Sequence, residues 1–280
     1  MERTGAVPQS NSSVTTKSGF DFNFVSPTTF VELPSEGKYY PVDHPLHGQS
    51  TVEIREMTAH EEDILADSAL QKSGVAINKM IANIVVDKRI NVDSLLVGDK
   101  NAITVAARIS GYGPDYKTSV SCPACGAVNK HEFDLSDLES KQSTITTAIT
   151  HVGGRVFQMT LPRTFYNVRI KLLNSHEIAD FTKPRGRAKK SRHEAKLQTN
   201  FLKLILHSIE NPSDSIWYED TPVIDQFVDS IPAIDASFLR SMYKILSPDV
   251  DMTQYFECDS CGHTQEMEVP LNAEFFWPDL

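Results

Sequence analysis

The chain reads as an α+β protein, with helical subdomains around a central β-hairpin region. Three observations predict this. Apolar residues recur at helical spacing in two separate stretches, before residue 115 and again after residue 164. Between them, and again near the C-terminus, apolar and polar residues alternate as in half-buried strands. Each of the two strand-like regions carries a Cys-x-x-Cys-Gly motif, at Cys122–Gly126 and Cys258–Gly262, and these account for all 4 cysteines of the 280 residues.

Residues 1–27 read as a disordered or partner-ordered tail. The first twenty or so are rich in Ser, Thr, Gly and Asn, and Phe20, Phe22 and Phe24 then alternate with Asp21 and Asn23. Prolines and glycine break Phe30–Pro41 into a short strand, a turn and a second strand, with a further turn at 43–48. Val52, Ile54 and Met57 outline the next strand. Thr58-Ala59-His60-Glu61 has the form of a capping box and predicts a helix running to Gly74. A second helix carries Ile77, Met80, Ile81, Ile84 and Val85 on one face. A third spans 99–110, with Ile103, Ala106, Ala107 and Ser110 inward and Gly111 as its C-terminal cap. These elements make a 28–115 subdomain.

Residues 116–163 form the first knuckle and the hairpin region. Thr118 and Val120 lead into the cysteines, and Phe133 and Leu135 leave them. Ile145, Thr147 and Ile149 then alternate, turn at Gly153-Gly154, and return through Phe157, Met159 and Leu161. Residues 164–249 read as a helical subdomain, with helices at 165–181, 194–210, 222–230 and 233–247 and a basic loop at 183–192. Residues 250–280 hold a strand through Met252, Gln254 and Phe256, the second knuckle, an exit strand through Met267 and Val269, and an aromatic terminus at Phe275-Phe276-Trp277. The aromatic residues are expected to pack onto the strands of the knuckle, to anchor a neighbouring subunit, or both.

The cysteine pattern carries the chemistry. Two thiolates two residues apart can face one ion, and the following glycine lets the backbone turn back on them. Two such knuckles supply four sulfurs, for which Zn2+ is the default. Cys122, Cys125, Cys258 and Cys261 are therefore the expected ligands of a structural zinc, each knuckle being half of a composite ribbon that the C-terminal segment closes. Disulfides would need an oxidising compartment, and the polar N-terminus has no secretory apolar region. A redox pair would occur once and open a helix. Four cysteines also close the coordination sphere, which argues against a catalytic zinc.

The formal charge of -10 and pI near 5.4 disfavour nucleic-acid binding by the surface as a whole. The loop Lys183–Arg192 has six basic residues but no aromatic residue for base stacking, and reads as a solvated loop or an acidic-partner patch. No apolar run is long enough to span a bilayer, so a soluble protein is expected. His44 and His47 flank a proline turn without a third ligand, and His60 falls in a helix's first turn. No Walker A loop, dinucleotide motif, nucleophile elbow or zinc-protease helix occurs, so no enzyme and no small-molecule substrate are expected.

Several strings then combine. Phe30-Val31-Glu32-Leu33-Pro34-Ser35 is followed by Gly37 and Tyr40-Pro41. Ile54-Arg55-Glu56-Met57-Thr58 precedes an acidic helix start, Ala107–Gly113 reads ARISGYG, and the Cys-Pro-x-Cys-Gly knuckle and terminal Phe-Phe-Trp-Pro complete the set. Over residues 28–280 the chain resembles the T4-type bacteriophage baseplate hub proteins, hub subunits and hub assembly factors of contractile-tailed phages. The tail and the basic loop lie outside the resemblance. It implies a non-enzymatic role in building the baseplate hub, with other hub or tape-measure proteins as partners. It implies a location in the host cytoplasm during assembly and in the virion tail baseplate if the protein stays there. A chaperone for the tape-measure protein fits the same sequence. A zinc-ribbon nucleic-acid-binding protein using the basic loop is the rival from another class.

Overall fold

The computed structural model describes residues 26–182, 196–269 and 275–276. The tail, the basic loop and Trp277 lie outside the described residues, as do the expectations attached to them.

Strand β1 (Thr28–Glu32) pairs antiparallel with β2 (Thr51–Arg55), Val31 facing Val52. The strand expected around Tyr39 and Tyr40 does not form. That segment is a run of turns, and a buried carboxylate explains why. The Tyr40 hydroxyl donates to Asp99 at 2.6 Å and accepts from the Leu96 N–H at 3.0 Å. Ser35 donates to the same Asp99 through its N–H at 3.0 Å and its hydroxyl at 2.6 Å. The turn holding these donors needs Gly37, which has φ 68°. A Cβ there would sit 2.3 Å from the Leu46 carbonyl oxygen.

Helix α1 (Ala59–Ala66) opens on the expected capping box, Thr58 N–H donating to Glu61 at 2.9 Å. The helix does not continue to Gly74. It breaks at Asp67, whose carboxylate accepts from the N–H groups of Ala69 and Leu70 and so starts α2 (Ser68–Ser73). Gly74, at φ 73°, caps α2. In α3 (Ala76–Ile84), Met80, Ile81 and Ile84 are buried as expected, but Ile77 is exposed. Helix α4 (Val97–Tyr112) outruns its expected span at both ends, and Gly113 rather than Gly111 ends it.

β3 (Asp115–Ser121) and β4 (Val128–Asp134) form the first knuckle hairpin. After β5 (Glu139–Lys141), β6 (Ile149–Gly153) and β7 (Val156–Thr160) make the expected hairpin. Ile145 and Thr147 lie outside its strands. Residues expected as one helix instead form β8 (Asn167–Lys171) and α5 (Ser175–Thr182). The next expected helix divides into α6 (Leu197–Ile205) and β9 (Leu206–Glu210). Then come β10 (Trp217–Tyr218), α7 (Thr221–Ser230), α8 (Ala233–Leu246), β11 (Asp249–Asp251), β12 (Thr253–Glu257) and β13 (Thr264–Glu268). The two strand corrections share a cause. In the five-stranded antiparallel sheet β10-β9-β8-β7-β6, β8 is paired on both sides, and Val168 and Ile170 are wholly buried. Ladder bonds and burial there outweigh a weak helical period.

The C-terminal part of the chain is keyed into the middle. β11 pairs with β5. Gly98, in the first turn of α4, lies so close to Pro248 that a Cβ would come within 2.0 Å of the Pro248 carbonyl oxygen. Asn101 donates to Asp249 at 3.0 Å. These contacts put β12 and β13 beside β3 and β4.

Candidate metal centre

The two knuckles are built alike. In the first, Cys122 N–H donates to Ala127 O at 2.8 Å and Gly126 N–H to Cys122 O at 2.9 Å. In the second, Cys258 N–H donates to His263 O and Gly262 N–H to Cys258 O, both at 2.9 Å. Gly126 and Gly262 have φ 72° and 68°, a left-handed turn that glycine adopts without strain. Each knuckle thus folds its two sulfurs to one side of a tight loop at the end of a hairpin. Cys122 and Cys258 are buried and Cys125 and Cys261 are exposed.

The hairpins meet so that the four Sγ atoms lie within 4.8 Å of one another. The cross-hairpin separations are 3.8 Å for Cys122–Cys261 and 3.7 Å for Cys125–Cys258. A tetrahedron with zinc–sulfur arms of about 2.3 Å has edges of about 3.8 Å. A disulfide needs about 2.05 Å. The sulfurs are therefore spaced for a tetrahedral ion and not for oxidation, and all four cysteines are free. This cluster can hold a metal ion.

Aromatic packing holds the hairpins together beneath the sulfurs. His131 of β4 sits edge-on to Phe133 at 4.5 Å and to Phe256 of β12 at 5.3 Å. Phe275 packs edge-on to Tyr116 at 5.1 Å, and both are buried. Arg108, wholly buried at the end of α4, donates to the carbonyls of Phe275 at 2.7 Å, Gly113 at 2.7 Å and Asp115 at 3.0 Å. The carbonyl end of the helix favours a cation there. Phe275 and Phe276 are both buried against the fold, in line with the packing expected of the terminus.

One member of the site escaped sequence reasoning. Asn129, buried in β4, donates its amide N–H to Ala127 O at 3.1 Å and to Cys258 Sγ at 3.4 Å. It thus reaches from the first hairpin to a sulfur of the second. Its position seven residues after Cys122, between Val128 and Lys130, carried no distinguishing signal.

The thiols do not ionise alike. At Cys258, burial raises the pKa, but the N–H groups of Cys261 and Ser260, with the neighbouring sulfurs, outweigh it and bring it down to about 6. At Cys261 the His263 N–H favours the thiolate. The Cys125 sulfur, burial and the sulfurs of Cys258 and Cys122 together outweigh it, and its pKa rises to about 12. Crowded sulfurs compete for the thiolate charge, and a divalent ion relieves that competition by compensating it.

Among the described residues the histidines form no second cluster. His44 is stacked on Tyr40 and bonds Ser94 at 2.8 Å, and His47 bonds Tyr40 O at 2.7 Å. Among the described residues, no helix is long and apolar enough to cross a membrane.

No curated protein and no solved structure matches the chain. Residues 26–277 match the family described as T4 bacteriophage base plate protein. With that match running from the first described strand past the second knuckle, the chain belongs to the T4 bacteriophage base plate protein family.

Proposed function

We propose that this baseplate-family protein is a non-enzymatic structural or assembly component of the baseplate hub, folded around one structural Zn2+ held by Cys122, Cys125, Cys258 and Cys261. The observation that carries the metal is the sulfur tetrahedron, with cross-hairpin edges of 3.7–3.8 Å built from hairpins more than 130 residues apart. Four protein ligands leave no position for water or substrate, so the ion's role is to clasp. The hub role rests on family membership and on the strings that resemble hub proteins. The division into 28–115, 116–163, 164–249 and 250–280 belongs to the same reading. The last of these closes the ribbon begun in the second.

Native mass spectrometry of protein purified without added metal tests the clasp. One zinc per chain, lost on chelation while most of the fold stays compact and only the knuckle hairpins loosen, is the expected result. A chain that carries no metal as purified, with both knuckle hairpins still ordered, removes the zinc. Mass spectrometry of purified virions separates a hub subunit, present in fixed copy number, from an assembly factor such as a tape-measure chaperone, which would be absent.

A further inference from the structure

The edge of the five-stranded sheet holds a cavity of about 330 Å³ between β9, β10 and α7, lined by none of the four cysteines. It is lined by Tyr166, Ile209, Tyr218, Val223, Phe227 and Gln226, among others. The loop beside it presents an aromatic residue at a conformational cost. Phe165, immediately before Tyr166, has φ 60° and is 75% exposed. A bulky residue in the left-handed region is strained and persists only when its surroundings fix it. Asp235, wholly buried, does so. Its carboxylate accepts from the N–H groups of Arg163 at 2.9 Å and Thr164 at 3.1 Å, and from the Thr164 hydroxyl at 2.7 Å. Ile234 beside it and Ile216 before β10 are also more than half exposed.

The surroundings are strongly anionic. Residues 204–239 contain no lysine or arginine, and besides Asp235 they carry Glu210, Asp214, Glu219, Asp220, Asp225 and Asp229. Two cations that reach this face are engaged: Lys203 bridges Asp225 and Asp229, and Arg169 lies over the Trp217 ring at 3.7 Å. Arg163 is exposed.

We propose that this surface docks a segment of another protein in which one aromatic or large aliphatic side chain is flanked by lysines and arginines. The apolar residue would enter the cavity beside Phe165, and the flanking cations would meet the carboxylate rim. Charge complementarity selects this occupant. A second copy of a chain carrying -10 would bring like charge against the rim. The chain's own basic segment, Lys183-Pro-Arg-Gly-Arg-Ala-Lys-Lys-Ser-Arg192, has the charge but no large apolar side chain to fill the cavity. The surface needs no metal and stands or falls apart from the zinc reading.

A Trp277→Phe background leaves Trp217, beside the cavity, as the sole tryptophan. The full-length protein in this background is titrated with a short labelled peptide holding one phenylalanine among lysines and arginines. Saturable one-to-one binding with a change in Trp217 emission is expected. Replacing the peptide's phenylalanine by alanine, or introducing Val223→Ser or Glu219→Lys, should each weaken it by about tenfold or more. Unchanged thermal melts would show that both exposed-site variants fold. Any of four results overturns the proposal: no binding at low ionic strength; equal binding of the alanine peptide; binding that appears only when residues 183–192 are deleted; or self-association abolished by Val223→Ser.

Discussion

At the scale of single residues, two side chains make measurable claims. Glu61 is fully buried, yet burial, which disfavours its charge, loses to the paired Arg55 guanidinium and the Thr58 N–H and hydroxyl. Its pKa falls to about 2. A carboxyl with a depressed folded pKa adds stability above its unfolded value of 4.5, and that stability is lost as pH falls through about 2. Asp99 and Asp249 run the other way, burial raising both, so acid favours their folded forms. The test is therefore a difference. Glu61→Gln should cost about 2 kcal/mol in urea unfolding at neutral pH, and the gap to wild type should close toward pH 2. A gap that stays constant would separate Glu61 from the acid response. Asn129 makes the second claim. Metal-ligating groups release their ion faster when an outer hydrogen bond is removed, by about 10–100-fold in affinity. Asn129→Ala should keep one zinc per chain but surrender it to a chelator about tenfold faster or more, read by a colorimetric zinc indicator. An unchanged release rate would reduce Asn129 to packing.

At the scale of elements, glycines on α4 show which contacts decide. Exchanging a helical Gly for Ala gains about 1 kcal/mol in propensity. At Gly98 that gain is overwhelmed, because the new methyl would meet backbone, the Pro248 carbonyl oxygen at 2.0 Å. Gly98→Ala should lower stability by about 2–3 kcal/mol. At Gly111 the obstacle is the end of a flexible side chain, Met57 Cε at 2.7 Å, which can swing away. Gly111→Ala should be neutral or stabilising. Urea midpoints for the two variants check both, and a neutral Gly98→Ala would mean that α4 and β11 are not keyed together. The same scale separates what the sequence made legible from what it hid. The capping box at Thr58, the hairpin through Gly153-Gly154, and α7 and α8 were readable because local chemistry decides them. That the four cysteines would come together was readable from the spacing of two Cys-x-x-Cys knuckles. β8 and β9 were not, because Val168, Ile170 and Leu206 owe their state to strands paired on either side. Neither was the break at Asp67, where one carboxylate captures two N–H groups. Tyr40 and Asn129 were hidden for the reason that hides most long-range polar partners. Asp99 is 59 residues from the first, and Cys258 is 129 from the second.

At the scale of the molecule, the question is how much of the fold the sulfur cluster holds. Structural zinc contributes about 10–16 kcal/mol in small peptides that are unfolded without it. A whole domain is stable by only about 5–15 kcal/mol, so the ion could in principle carry everything. The contacts argue for a narrower role. The C-terminal part is fixed to the middle at places independent of the sulfurs: the β11–β5 ladder, the Gly98–Pro248 approach and the Arg108 bonds around Phe275. The five-stranded sheet buries Phe157, Met159, Val168 and Ile170 in the main core. The hairpins of the knuckles are different. β3–β4 and β12–β13 are two-stranded, and such hairpins are marginal alone. Chelation should therefore release amide protection in residues 115–134 and 253–268 while β7, β8 and α4 remain protected, as read by hydrogen exchange with mass spectrometry. Cys258→Ser should give the same map and so loosen residues around Cys122, 136 positions away. Loss confined to 253–268 would mean that the two knuckles do not share one ion. Loss throughout the chain would make the clasp the foundation of the fold, with β11, Gly98 and Arg108 too weak to hold the C-terminal segment in place by themselves.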